Sequence, residues 1–482
     1  MAAGGTDRST YSSARRLFAV GLGAIFVAAF ASFGVQALGL IGARGIAPVA
    51  ELLEHARTAF GDGALTKLPT LFWLQASDPA IIAVCVAGCV TGAVMVAGFC
   101  PGACAVVSWA LYLSLCSVSS PFLDFQWDAL LLETGLVGAL MLPWKWRPDW
   151  ADETPRQQVG RWLVWWLLFR LMFESGLVKL TWGDATWLEL RALDFHFETQ
   201  PLPTPTAWYA HQLPRFVLRA ATVLTFLLEM GVPFLLLAPR RWRRAGALSM
   251  IILQFGILLT GNYAFFNWLT IALCLTLFDD RTSAMRRLAT APLSSDPQTR
   301  IRWAVAGAAG AFFFAATAPS LVESFRVSSP DPLGCLLGPT RSFNSYGLFR
   351  VMTTERPEII VEGSRDGSEW KAYEFRWKPG DLIRMPPIIA PHQPRLDWQM
   401  WFAALGDVRG NDWLVSFLVR LLQGSPEVVA LLGANPFPGA PPRFVRAILY
   451  DYHFTAIGSR DGWWRREKKG TYCPPISLRG SE

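Results

Sequence analysis

The feature that most constrains this chain is a series of nine apolar blocks, at approximately residues 17–38, 80–98, 101–118, 127–143, 162–180, 216–237, 244–260, 264–278 and 302–319. A helix of about 20 apolar residues reaches across the hydrocarbon of a bilayer, and the fourth and eighth blocks are marginal for that length. Backbone in lipid must satisfy its own N–H and C=O groups, so blocks of this kind fold as helices. Composition agrees: 52% of the residues are hydrophobic and only 17% are charged, where a soluble protein carries about 25% charged. The first block follows Arg15 and Arg16 but runs longer than a signal-peptide core, so it reads as a retained anchor. The expected fold is an α-helical polytopic membrane protein with about nine transmembrane helices.

Orientation follows from the basic residues, which accumulate in cytoplasmic loops. One parity of loops carries Arg8, Arg15 and Arg16, then Lys145, Arg147, Arg156 and Arg161, then Arg240, Arg241, Arg243 and Arg244, then Arg281, Arg286, Arg287, Arg300 and Arg302. The opposite loops, 39–79 and 180–215, hold only Arg44, Arg57, Lys67, Arg191 and Arg215. Residues 1–16 are therefore expected in the cytoplasm, 17–319 in the bundle, and 320–482 outside it. Segregated clusters of this kind also account for the formal charge of +7, so no nucleic-acid partner is expected; the partner that they imply is the bilayer.

The tail after residue 320 has alternating runs, prolines and turn signals, and reads as an α+β extracytoplasmic domain. Glu358 to Gly363 and Lys371 to Trp377 are β-like runs joined by Ser-Arg-Asp-Gly-Ser, a hairpin pattern. Residues 396–405 and 411–423 have helical apolar spacing, Ser425-Pro426-Glu427 resembles a helix start, and Ala447 to Thr455 reads as a late strand. Trp463 and Trp464 ahead of Arg465, Arg466, Lys468 and Lys469 suit either an anionic membrane surface or a solvated tail. Cys335 and Cys473 are the domain's cysteines, and an oxidising compartment would permit a bridge between them.

Charges inside spans cost about 2.5–3.5 kcal/mol each on the insertion scale, so each needs a partner or a purpose. They are Glu133, Arg170, Glu174 and Glu229. Arg170 and Glu174 share a helix face and can pair with each other or reach Glu133 or Glu229. Such a cluster is a structural latch or a polar cavity in which Glu133 handles a proton or a bound group. A second cluster, Asp124, Gln126, Asp128, Asn262, Tyr263 and Asn267, maps to the outer surface, where it satisfies local backbone or forms a shared site facing the domain. His55, His196, His211, His392 and His453 fall on that side too, without zinc-ligand spacing, so no metal or cofactor is expected. The chain has no nucleophile elbow and no phosphate-binding glycine loop.

Four stretches together are similar to the lipase maturation factor family. They are Leu130-Leu-Leu-Glu-Thr-Gly135; Gly261-Asn-Tyr-Ala-Phe-Phe-Asn-Trp-Leu-Thr-Ile271 with Asp279-Asp280 behind it; Ala390-Pro-His-Gln-Pro-Arg-Leu-Asp-Trp-Gln-Met-Trp-Phe-Ala-Ala-Leu405; and Asn435-Pro-Phe437 through Pro441-Pro442 to Tyr450-Asp-Tyr-His-Phe-Thr455. The resemblance implies a polytopic protein that in animals sits in the endoplasmic reticulum membrane and helps secreted lipases fold and assemble, its terminal domain facing the lumen. It also implies client contacts at His392, Gln393, Arg395, Asp397, Trp398 and Trp401, with Tyr450, Tyr452 and His453. The Ala- and Arg-rich sequence looks bacterial, which would turn the lumen into the periplasm and the membrane into the plasma membrane. The leading reading is thus a non-enzymatic maturation factor for exported client proteins. The alternative is a membrane-embedded enzyme at the outer leaflet, with Glu133 as acid or base and Asp128, Arg170 and Asn262 orienting the substrate.

Overall fold

All nine blocks fold as helices in the computed structural model, which describes residues 11–280, 297–328 and 333–478. In chain order these are α1 (Ser12–Gly34), α2 (Asp78–Val96), α3 (Pro101–Val118), α4 (Gln126–Met141), α5 (Pro155–Thr181), α6 (Arg215–Leu237), α7 (Arg240–Thr260), α8 (Phe266–Leu275) and α9 (Pro297–Glu323). Six of them, α1, α2, α3, α6, α7 and α9, are long and apolar enough to cross a membrane. The other three depart from that pattern for physical reasons. Helices α4 and α8 have 16 and 10 residues and are buried on nearly every face. Helix α5 has 27 residues but carries Arg161, Arg170, Glu174 and Lys179, all buried. Its first turn is fixed by Thr154, which accepts from Gln157 N while Gln157 Oε1 accepts from Thr154 N, with Pro155 at the first helical position.

Helices α1 and α2 cross closely. A Cβ on Gly23 would lie 2.7 Å from Gly92 O, and one on Gly92 would lie 2.8 Å from Gly23 O. Small residues of this kind let membrane helices approach backbone to backbone, where dispersion replaces the missing hydrophobic drive.

The two ends of the bundle differ. At one end the basic residues are held by backbone oxygens and acids: Arg15 Nη2 donates to Trp150 O (2.5 Å) and Asp152 O (2.8 Å), and Arg243 Nη2 donates to Tyr11 OH (3.0 Å). Asp279 pairs there with Arg240 and Arg244, at 2.6 Å each. At the other end sits the terminal domain, against the end of α1, the start of α4 and the α7–α8 turn.

That domain is a four-stranded antiparallel sheet in the order β2-β1-β3-β4, covered by two helices, Arg395–Ala404 and Asp412–Leu422. Strand β1 (Pro357–Ser364) pairs with β3 (Phe444–Phe454) along its whole length. The hairpin from β1 to β2 (Lys371–Ala372) turns on Asp366, whose carboxylate accepts from Ser368 Oγ (2.7 Å) and the amides of Ser368 and Glu369. These donors, the Ser368 hydroxyl first, hold the Asp366 carboxyl well below the usual range. Strand β2 is shorter than the Lys371–Trp377 run, because the chain leaves the sheet after Tyr373, where Glu374 bridges Ala434 and Arg376 bonds Leu432 O and Ala430 O instead.

One reading of the tail is corrected. The segment after Trp463 is not a free tail but a 13-residue edge strand, β4 (Trp464–Ile476). Trp464 is buried with its ring 4.5 Å from that of Phe454. Lys and Arg crowd the exposed positions of β4, where an edge strand needs charge against pairing with other chains. Of the cysteine pair, the side chain of Cys335 lies outside the described residues, and Cys473 is buried in β4.

Candidate functional site: the joint between bundle and domain

The charged and polar residues singled out by the sequence meet in a series of separate buried contacts that fasten the domain to the bundle. The innermost is built on Glu133 of α4 and Arg170 of α5, an ion pair with both side chains 1% exposed. Glu133 Oε2 also accepts from Asn344 N (3.2 Å) and Tyr346 OH (2.8 Å). Arg170 Nη1 donates to Asn344 O (2.8 Å), and Glu174 accepts from Tyr346 N (2.9 Å) and Ser320 Oγ (3.0 Å). The chain leaving α9 therefore dips into the bundle at residues 344–346, and all four oxygens of the two carboxylates are occupied. Of the predicted intramembrane cluster, Glu133, Arg170 and Glu174 come together, while Glu229 does not. Its partner is Lys179, at 2.6 Å.

One layer outward, Arg395 of the domain makes a two-pronged contact with Asp128 at the start of α4, at 2.6 and 2.9 Å. Arg395 Nη1 also donates to Phe122 O (3.1 Å), and Tyr112 OH donates to Asp128 Oδ1 (2.5 Å). Burial alone would lower the Arg395 pKa, but the Asp128 carboxylate holds it raised, so the guanidinium stays charged. Beside it, Gln36 Nε2 donates to Gln393 O (2.8 Å), Gln36 Oε1 accepts from Arg395 N (2.8 Å), and Ser32 Oγ accepts from Gln393 N (2.8 Å). Ser32 Oγ also lies 3.0 Å from His392 Nδ1.

On the opposite flank, Asn262 reads the domain's backbone, donating to Pro387 O (2.9 Å) and accepting from Ile389 N (2.7 Å) and Ala390 N (3.1 Å). Arg356, fully buried, donates to the carbonyls of Glu198, Gln200 and Pro201 and to Glu358 Oε1. Trp401 Nε1 donates to Thr199 O (2.9 Å). The rest of the outer cluster meets other partners. Asp124 pairs with Arg341 (2.6 Å), Gln126 accepts from Gly347 N (3.4 Å), Tyr263 donates to Gln200 Oε1 (2.7 Å) and Asn267 donates to Gln254 Oε1 (2.7 Å). Among the described residues, these contacts are separate from one another.

This geometry corrects the client-contact residues. Gln393, Arg395, Asp397, Trp398, Trp401 and Tyr452 are buried, so a folded client cannot reach them. Asp397 caps Trp377 N and Lys378 N at 2.9 Å, and Trp398 packs on Trp127 and Phe125 of the bundle. His392, Tyr450 and His453 are half-buried. His453 sits between Glu198 (3.2 Å) and Asp451 (3.4 Å). Sequence reasoning missed Arg356, Asn344, Tyr346 and Lys179. Arg356 alone carried a signal, a charge placed directly ahead of a buried strand.

His196, on the short helix Ala192–Thr199 outside the spans, is half-buried, and desolvation and then Lys179 push its pKa down to about 4. Its neighbours are Tyr263 OH (3.4 Å from Nε2) and the Phe349 ring (4.7 Å). An unfolded imidazole titrates near 6.5, so the stability tied to the neutral ring is whole above about pH 6.5 and is lost as pH falls toward 4, about 3 kcal/mol in total. Thermal melts from pH 7.5 to 4.5 should therefore drop less steeply for His196→Phe than for the natural chain. Parallel slopes would refute the assignment.

Comparison with known proteins places this architecture. Residues 13–285 match the family described as Lipase maturation factor transmembrane domain, and residues 342–474 match Lipase maturation factor C-terminal domain. Human Lipase maturation factor 2 is 36% identical, with 96% of this chain and 82% of that protein aligned. Mouse Lipase maturation factor 1 is 35% identical over 94% of this chain and 85% of its own length. Lipase maturation factor 2 of Xenopus laevis is 33% identical over 96% and 82%. No solved structure matches the chain.

Proposed function

The chain belongs to the lipase maturation factor family, and on that premise we propose that it is a membrane-anchored folding and assembly factor for exported proteins, lipases among them. The observation that carries the reading is similarity along both parts of the chain to proteins named for lipase maturation. The joint supports it, because a buried ion pair and a series of buried hydrogen bonds hold the terminal domain as a rigid extension of the bundle rather than a tethered module. The domain docks at the end opposite the basic clusters. Basic clusters favour the cytoplasm, so if α4, α5 and α8 cross along with the six longer apolar helices, nine crossings in all, the domain would face the lumen in the endoplasmic reticulum or the periplasm in a bacterium.

Nothing in the geometry favours an enzyme built on Glu133. Both of its oxygens are engaged within a packed contact, and Asp128, Arg170 and Asn262 each have their own partners rather than a common cavity.

Two measurements test the proposal. Deleting the gene should lower secreted lipase activity several-fold without changing lipase transcript, and re-expressing the full chain should restore it. Unchanged activity of every secreted hydrolase would remove the maturation role. Separately, an alkaline phosphatase fused after residue 482 should be active. A C-terminal fusion that reports only from the cytosol would overturn the orientation.

A further inference from the structure

We infer that a cavity between α5, α6 and α7 binds a single-chain lipid with an uncharged, hydroxyl- or ester-bearing head, of the monoacylglycerol class. The cavity measures about 370 Å³, within the range of ligand pockets. At the roughly 30 Å³ of a water-sized group it takes on the order of a dozen non-hydrogen atoms, enough for a glycerol ester and the first carbons of one acyl chain, whose remainder would lie in the open mouth, and too little for a two-chain lipid.

Its walls are apolar, with Leu171 of α5, Leu228 of α6 and Leu253 and Ile257 of α7. Leu224 and Ile252 line it as well and are 52% and 61% exposed, so the mouth lies between α6 and α7 on the bundle's outer, lipid-facing surface. A chain could enter sideways from the bilayer without crossing water.

The polar end is the Lys179–Glu229 pair. Glu229 sits on a π-helical turn, Leu227–Gly231, that passes into a 3₁₀ turn at Val232; such turns inside helices recur at functional sites. Lys179 Nζ donates to Glu229 Oε2 (2.6 Å) and to Ser175 O (3.0 Å). An ammonium has three donors, which leaves one for a ligand oxygen. Charge then selects the head. The pair is neutral as a unit, and a carboxylate or phosphate beside it would be an unbalanced charge in a low-dielectric site, which disfavours it. A hydroxyl or ester adds an acceptor for the spare ammonium hydrogen and no net charge.

The test uses the full chain in phosphatidylcholine nanodiscs with a diazirine-bearing dodecanoyl glycerol as probe. Photolabelling should map to α6 and α7 and be competed by unlabelled dodecanoyl glycerol, with dodecanoate at least about tenfold weaker, a difference of about 1.4 kcal/mol. Ala221→Trp, which fills the cavity from α6, should cut labelling by about tenfold or more. Labelling that excess monoacylglycerol does not compete, or that dodecanoate competes equally well, overturns the proposal. So does a folded Ala221→Trp that labels normally; if that variant does not fold, the competition on the natural chain decides. The site is independent of the client reading, and loss of lipase maturation activity would leave it standing.

Discussion

Replacing Arg395 with Met should destabilise the protein by about 3–5 kcal/mol, because it leaves Asp128 as an uncompensated charge with 1% exposure. Asp128 would keep its Tyr112 hydrogen bond but lose both guanidinium donors, and Phe122 O would lose its donor as well. The loss is local to the joint, so limited proteolysis should release the domain before the bundle unfolds. Arg395→Lys should fall in between, since an ammonium cannot meet both carboxylate oxygens in the fork geometry. Combining Arg395→Met with Asp128→Asn should recover much of the loss, because a neutral pair removes the stranded charge. Thermal unfolding and proteolysis of the purified chain read all three variants. A single Met variant that melts and digests like the natural chain would mean that the contact does not hold the domain.

The same contact shows what the sequence could and could not reveal. Helix positions were legible because lipid forces a hydrophobic period, and the hairpin was legible because Ser364 to Ser368 is turn chemistry between alternating runs. The importance of Arg395 was legible as well, but not its role. Its partner lies 267 residues away in the chain, and nothing local distinguishes an arginine that meets a client from one that closes a joint. Lys179 hid for a different reason. A lysine in the last turn of a membrane helix ordinarily snorkels to water, and only the packing of α6 over it keeps it inside with Glu229. Strand β4 escaped because, as a charged edge, it has no clean apolar alternation. Asn344 and Tyr346 lie in irregular chain after α9, where no period marks which residues turn inward.

Substitution of Glu133 decides between latch and catalyst. In Glu133→Gln the hydrogen bonds of Asn344 and Tyr346 can largely persist, but Arg170 is left charged within the bundle, and breaking such a pair costs about 3–5 kcal/mol. Arg170→Met strands Glu133 and Glu174 instead, and should cost as much or more. The double variant should melt closer to the natural chain than either single variant, as expected when the two residues serve each other. A general acid or base at Glu133 predicts the reverse pattern, with Glu133→Gln folding normally and losing turnover, and Arg170→Met in the same background restoring nothing. Secreted lipase activity per folded molecule separates the two. The latch requires it to stay near the natural value in Glu133→Gln while the amount of folded protein falls, because the contact's work is to hold residues 344–346, and through them the domain, in one fixed position on the bundle.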